Sequence, residues 1–395
     1  MPININQPGA LKTGAPQIPS QPRQPGELQP EDVVAAQEIP GFVGERVFIT
    51  LQKKTESKYF KKPNQDNILT DSETGLLGVM DGLGGHNKGD LASMAVEREV
   101  PIQLKKTEKE TENMQAAELI EKITELTSGR YNGRSNFQQK KDELRKKAEE
   151  IVAKDIDLAR KALLLLRAVQ ESNPAVAATG GATTACLGLV HKLQSGERYA
   201  IIANVGDSGA FIRRKNGELE KITEEDSSQQ GLSDVGVNIQ GMDINTFLRN
   251  HSDPISGRIP DSLTIPVPIN MDNLRAIGYT RKTAEDWIKT KQKTLDVEYA
   301  DLKRYVSSVM GIETPSPRLS LTKVETGDEI LFCTDGIIDK YDDETKQELD
   351  LDELSKDLSV GNDPVERLDN LRVIAHQKTT YKDNDDVAMV LVAIE

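Results

Sequence analysis

The chain has 395 residues, a formal net charge of −14, 36% apolar and 4% aromatic residues, and two cysteines. The negative balance argues against a nucleic-acid partner, whose phosphates it would repel. Two cysteines build no disulfide framework, so a reducing cytoplasm is the expected location. No stretch approaches the ~20 apolar residues that cross a bilayer. Residues 1–6 lack the charged and apolar regions of a secretory signal, and no membrane partner is expected.

Residues 1–42 are rich in Pro, Gln and Gly without apolar periodicity and read as a disordered, solvated tail. A folded region over 43–395 opens with a strand at Arg46-Val47-Phe48-Ile49-Thr50-Leu51. Leu76-Leu77-Gly78-Val79-Met80 is a continuous apolar run ending at Asp81, the pattern of a buried strand delivering that carboxylate to a site. Residues 88 to about 106 look helical. Residues 108–175 are charged and helix-favouring and read as a helical insertion. Between Asp142 and Gln170, the residues Leu144, Ala148, Ile151, Val152, Ile156, Ala159, Leu163 and Leu166 recur on one face and predict a helix across that whole span.

From Gly181 the pattern changes to strands: Thr183–Val190, Arg198–Val205 and Ala210–Arg214, then Glu218–Ile222 after an Asn216-Gly217 hairpin signal. Residues 228–305, with Pro254, Pro260, Pro266 and Pro268, read as an enlarged flap, lid or small subdomain. Glu329–Cys333 is another buried strand. Asp363-Pro364-Val365-Glu366 opens a helix with an Asp cap, Pro at the first helical position and Glu three residues after the cap. Val387–Ala393 is a final core strand. Cys186 and Cys333 lie in strand-like runs and look like small buried hydrophobes. The elements sum to antiparallel sheets with helices on their outer faces.

Four short acidic motifs carry the chemistry: Asn64-Gln65-Asp66, Asp81-Gly82-Leu83-Gly84-Gly85-His86, Asp335-Gly336-Ile337-Ile338-Asp339 and Asp383-Asn384-Asp385-Asp386. Three of them set an Asp at the edge of an apolar run, where an uncompensated carboxylate costs several kcal/mol. Several carboxylates with few His or Cys favour a hard cation such as Mg²⁺ or Mn²⁺ over zinc. Carboxylates holding two such ions are one solution to phosphoryl hydrolysis. Asp207 and Asp339 also read as turn formers that cap local N–H groups. His191, His251 and His376 show no ligand spacing.

These motifs, in this order and beside these strands, resemble the type 2C metal-dependent serine/threonine phosphatases (the PPM family) of bacterial type, over roughly residues 45–395. Asp81–His86 resembles the family's Asp-Gly-x-Gly-Gly signature, and Gly181-Ala182-Thr183-Thr184-Ala185 its Gly-Thr-Thr-Ala strand. Val205-Gly206-Asp207-Ser208 is similar to its Val-Gly-Asp-Ser turn, Gly327–Gly336 to its Gly-Asp-x-x-Leu-Leu-x-Ser-Asp-Gly segment, and Asp383-Asn384 to its closing motif. The resemblance implies an α+β fold, a four-layer α-β-β-α sandwich of two mostly antiparallel sheets flanked by helices. It implies hydrolysis of phosphoserine or phosphothreonine in proteins by a metal-activated water at a binuclear Mn²⁺ or Mg²⁺ centre. A phosphorylated protein is then the substrate partner, and a monomer is expected.

Site roles follow by the same resemblance. Asp81, Asp335 and Asp383 form the catalytic core: Asp81 bridges two metals with the Gly82 carbonyl beside it, and Asp335 and Asp383 complete the first metal's shell. Asp66 sits at or behind the second metal, and Asp207 and Asp339 match positions that some members use for a third. The family's phosphate-binding Arg is absent, and Lys61 or Lys62 stands there without the bidentate fork. Gln65 stands where many eukaryotic members carry Glu, Leu83 where they carry a proton-donating His, and Gly209 replaces an Arg, which loosens a structural ion pair. Two other readings stay open: a pseudophosphatase that binds phosphorylated partners without turnover, and a small-metabolite phosphatase.

Overall fold

The computed structural model describes residues 33–39, 44–52, 64–83, 88–132, 134, 136–252, 259–260, 262–277, 279, 281–299, 302, 306, 308–312, 314–338, 342–343, 348–377 and 386–395. Its first half contains strands β1 (Val33–Ile39), β2 (Glu45–Gln52), β3 (Asn67–Asp71) and β4 (Leu76–Met80), then helices α1 (Gly89–Thr111), α2 (Ala116–Ser128), α3 (Phe137–Lys154) and α4 (Ile156–Thr179). Strands β5 (Ala185–Lys192), β6 (Arg198–Val205), β7 (Gly209–Arg213) and β8 (Leu219–Lys221) follow. Next come α5 (Ser228–Asp234), α6 (Ile244–Asn250), β9 (Thr264–Pro268), α7 (Met271–Ala276), α8 (Arg281–Lys289) and β10 (Thr294–Glu298). The last part comprises β11 (Arg318–Val324), β12 (Glu329–Cys333), α9 (Asp335–Ile338), the short pair β13 (Asp342–Asp343) and β14 (Glu348–Leu349), α10 (Leu351–Leu358), α11 (Pro364–Gln377) and β15 (Val387–Ile394).

A six-stranded sheet runs β1-β2-β15-β12-β7-β8 and a five-stranded sheet runs β11-β6-β5-β4-β3. Every described pairing within them is antiparallel. Side-chain alternation explains why several strands read as unbroken apolar runs. On β4, Leu77 and Val79 enter the core between the sheets, while Leu76 and Met80 enter a second core beneath α1 and α4. On β12, Ile330 and Phe332 face the inter-sheet core, and Leu331 and Cys333 face a third core with Leu354 and Leu358 of α10 and Leu368 and Leu371 of α11. Strands β2 and β15 divide their residues the same way. A strand covered on both faces needs apolar residues at every position, and each fully buried Val, Leu or Phe contributes about 1.5–3 kcal/mol. The result is α1/α4, sheet, sheet, α10/α11: the four-layer α+β sandwich expected from the sequence.

Local signals behave as their chemistry predicts at two places. The Asn216-Gly217 turn joins β7 to β8, with Gly217 at φ +91°. At the start of α11, the Glu366 N–H donates to Asp363 Oδ1 at 2.9 Å, and the Asn362 N–H donates back to Glu366 Oε2 at 2.7 Å.

Two expectations are corrected. The stretch read as tail is not all tail, because Val33–Ile39 forms β1 and pairs with β2 from Val33↔Gln52 to Ile39↔Val47. Its stability comes from that pairing and from Ile39 packing against the inter-sheet core, neither visible in its own composition. The single helix over 142–170 is two, α3 and α4, divided at Asp155. This residue adopts extended backbone and its carboxylate accepts from the N–H groups of Asp157 (2.7 Å) and Leu158 (2.9 Å). An N-cap of this kind satisfies donors that a continuous helix would have used, so the apolar periodicity passes through a corner. The 228–305 region takes the small-subdomain form among the readings offered for it, with α5–α8 and the β9–β10 ribbon enclosing a core of their own around Leu232, Phe247, Ile265 and Leu274. Residues 1–32 of the tail lie outside the described residues.

Candidate metal centre

Asp81 follows β4, Asp207 lies in the β6–β7 turn, and Asp335 opens α9 directly after β12. Strands β4 and β6 belong to one sheet and β12 to the other, so the three carboxylates meet where the ends of the two sheets come together. One oxygen from each of Asp81, Asp207 and Asp335 lies within 4.8 Å of the others, and all three residues are half-buried. Three like charges at that spacing repel strongly unless a cation compensates them. An all-oxygen donor set of partly accessible carboxylates fits a hard divalent cation that keeps some of its waters.

The backbone under Asp81 is fixed on both sides. Its N–H donates to Thr184 Oγ1 at 2.9 Å, and its carbonyl accepts from the Thr184 N–H at 2.8 Å and from Thr183 Oγ1 at 2.7 Å. Thr184 Oγ1 also shares a 2.7 Å hydrogen bond with Ser208 Oγ, tying the Asp81 strand end to the Asp207 turn. Gly82 donates to the Gln65 carbonyl at 3.1 Å. A Cβ on Gly82 would stand 2.4 Å from the Gly89 backbone, so only glycine permits this approach.

Asp66 is 5% exposed and accepts from Thr334 Oγ1 at 2.7 Å, beside Asp335. Thr334 also accepts from the Ala388 N–H at 3.0 Å, so the start of β15 is tied to the same place. Asp383, Asp339, Lys61 and Lys62 lie outside the described residues, as does His86. Cys333 is fully buried, which pushes its thiol well above the ordinary range and leaves it no role as a nucleophile.

The structure adds supporting residues that sequence reasoning had not assigned. Asp386 Oδ2 accepts from the Gln65 N–H at 2.8 Å and positions the chain next to Asp66. Asp226, fully buried, accepts from the Gly206 N–H at 3.1 Å and donates its own N–H to the Gly206 carbonyl at 2.8 Å, gripping the residue before Asp207. Arg318 of β11 holds Asp226 through Nε at 2.7 Å, Asp234 through Nη2 at 2.7 Å and Glu224 through Nη1 at 2.8 Å. Arg130 holds Asp226 and the Ser316 carbonyl. Burial acts to raise the Asp226 carboxyl, but the Arg130 and Arg318 guanidiniums outweigh it and keep the group below the usual carboxylate range. A Cβ at Gly209 would stand 3.0 Å from Ile338 Cδ1, and the cations that brace the turn come from elsewhere in the chain.

Gly206 gives this turn a direct test. It sits at φ +105°, and a Cβ there would stand 2.6 Å from Thr184 Cγ2. Gly206→Ala is expected to cost about 1–3 kcal/mol, because it strains the turn and pushes on the threonine that holds Asp81. Urea unfolding and Mn²⁺ calorimetry would read it. An unchanged midpoint with unchanged metal affinity would show that the turn is slack and the bracing irrelevant.

The profile of the family described as Protein phosphatase 2C matches residues 57–370. Among solved structures, the serine/threonine phosphatase MsPP of Mycobacterium smegmatis, in complex with cacodylate, is 16% identical, with 88% of this chain and 98% of that chain covered and a TM-score of 0.47. PppA, a regulatory component of the type VI secretion system in Pseudomonas aeruginosa, is 15% identical, with coverage of 90% and 99% and a TM-score of 0.45. The catalytic domain of the serine/threonine phosphatase PstP, in complex with two manganese ions, is 18% identical, with coverage of 88% and 97% and a TM-score of 0.44. No curated protein matches the chain. Among the described residues, no helix is long and apolar enough to cross a membrane.

Proposed function

Because the chain belongs to the protein phosphatase 2C family, we propose that it hydrolyses phosphoserine and phosphothreonine in proteins with Mn²⁺ or Mg²⁺ held at a binuclear centre. The observation that carries this reading is the convergence of Asp81, Asp207 and Asp335 from three separate strand ends. In it, Asp81 and the Gly82 carbonyl would be shared between two cations, Asp335 and Asp383 would hold the first, and Asp66 would serve the second through its Thr334-held carboxylate. Asp207 and Asp339 serve a third position. Bound divalent cations supply an activated water and neutralise charge on the phosphoryl oxygens.

The protein's own contribution is placement. Thr183 and Thr184 hold the Asp81 backbone, Ser208 joins that strand end to the Asp207 turn, and Asp226 holds Gly206. Pre-set donors need no rearrangement when charge develops on the substrate. Lys61 or Lys62 binds the phosphate as a point charge in this reading, without the fork an Arg would offer.

The test is phosphate release from a phosphothreonine peptide by the purified full-length protein, with Mn²⁺, with Mg²⁺ and with EDTA. Release that requires a divalent cation and is abolished by EDTA is the expected result. Release that continues in EDTA would sink the metal mechanism. No release with either cation, from folded protein that still binds the peptide, would replace catalysis by phosphopeptide binding.

A further inference from the structure

Behind the Asp207 turn lies a cavity of about 210 Å³ walled by the end of α2, the loop after it, the flap and the segment leading into β11. Among the described residues, its wall carries four guanidiniums, from Arg130, Arg134, Arg275 and Arg318, and a single carboxylate, Asp234. In a chain of net charge −14 this is a local reversal of sign. Asp226 and Glu224 also compensate Arg130 and Arg318 from behind the wall. On the wall itself, Asp234 pairs with Arg318.

Arg134 stands apart from these pairs. Among the described residues, no carboxylate lies within ion-pair distance of its guanidinium, which stands over the Tyr131 ring at 5.7 Å. Burial pushes its guanidinium below the ordinary value, Asp234 pulls it back only in part, and Arg130 and Arg275 push it further down. A desolvated cation without full compensation is costly, and an anion entering the cavity would relieve that cost. The donors are there to receive one. A guanidinium has five N–H groups; Arg318 spends three on its carboxylates and Arg130 two on Asp226 and Ser316. The cavity is smaller than the ~300–1,000 Å³ usual for organic ligands, and guanidinium forks match phosphate oxygens bidentately.

We propose that this arginine-lined cavity between the helical insertion, the flap and β11 is a phosphate-binding site separate from the metal centre. Its ligand is a phosphoryl group, either free phosphate or one carried on a protein side chain. The proposal does not depend on turnover at the carboxylate cluster, and it is tested with the metals removed.

The experiment is calorimetric titration of inorganic phosphate into the full-length protein in EDTA at constant ionic strength. Variants are Arg134→Gln, Arg275→Gln on the opposite wall, and Lys146→Gln as an exposed charge control. Saturable one-site binding is expected in the wild type and in Lys146→Gln, weakened about tenfold or more in each arginine variant. Far-ultraviolet circular dichroism and urea midpoints identify any variant that fails to fold, and the other arginine variant then carries the test. Absence of saturable phosphate binding in the wild type would overturn the proposal, and so would binding that both folded arginine variants retain in full. Competition by a phosphothreonine peptide would uphold the site with a protein-borne phosphoryl group as ligand. Binding of inorganic phosphate without such competition would uphold it for the free ion.

Discussion

Asp81→Asn is expected to lower metal-dependent phosphate release by about 10³-fold, the equivalent of roughly 4 kcal/mol of lost transition-state stabilisation. Asn keeps the shape of the side chain but removes the charge that the bridging place requires. The fold should be spared, because the bonds that anchor Asp81 use its backbone N–H and carbonyl, held by Thr183 and Thr184, and those survive the change. The decisive comparison is of kcat and Mn²⁺ affinity with the urea midpoint. Lost activity and weakened metal binding at an unchanged midpoint would place the effect in the centre. Activity within a few-fold of wild type would remove Asp81 from the proposed bridging role and with it most of the metal reading. Thr184→Val, which removes the acceptor for the Asp81 N–H and the bond to Ser208, is the graded companion to this change.

Arg318→Met is expected to cost about 3–5 kcal/mol of stability, the cost of leaving a buried carboxylate short of its partner. Arg318 touches Asp226, Asp234 and Glu224 and joins β11 to the flap. Only the Asp226 and Asp234 contacts are buried; the Glu224 pair is exposed on the acidic side and contributes little. The pH dependence has a definite sign. Asp226 has a folded-state pKa below its unfolded value, so its stabilisation is fully present above the unfolded pKa and is lost as pH falls through the folded one. In Arg318→Met that carboxyl is less depressed. The gap in stability between wild type and variant should then be widest near neutrality and narrow as pH is lowered towards the carboxylate range. Urea unfolding at pH 7 and in mild acid measures it, with the m-value checking that the denatured state is unchanged. A gap that stays constant with pH would assign the loss to packing rather than to the ion pair.

Both effects meet in the Asp207 turn, which is why the site cannot be reduced to its acidic residues. Asp81 is fixed by the two threonines just before β5. Asp207 is fixed from behind by Asp226, and Asp226 by two arginines remote from it in sequence. A perturbation of the insertion or the flap would reach the turn of a candidate metal ligand through two hydrogen bonds from Arg130 and three from Asp234.

The sequence by itself determined the layered core and the ends of its strands. Continuous apolar runs at Leu76–Met80, Glu329–Cys333 and Val387–Ile394 are what burial on both faces demands. The first stops directly at Asp81, and the second is followed by the buried Thr334 and then Asp335. The order of the acidic motifs was legible for the same reason, since each is local and sits at a strand end. Tertiary structure alone decided that α3 and α4 turn a corner at Asp155 and that Asp226 braces the Asp207 turn. It also decided that four arginines line one cavity. Periodicity reports which face of an element is buried, and it is blind to what that face meets. The pairs Arg318–Asp226 and Arg130–Asp226 span 92 and 96 residues, and a charge acquires its partner only when the sheets and the insertion have packed.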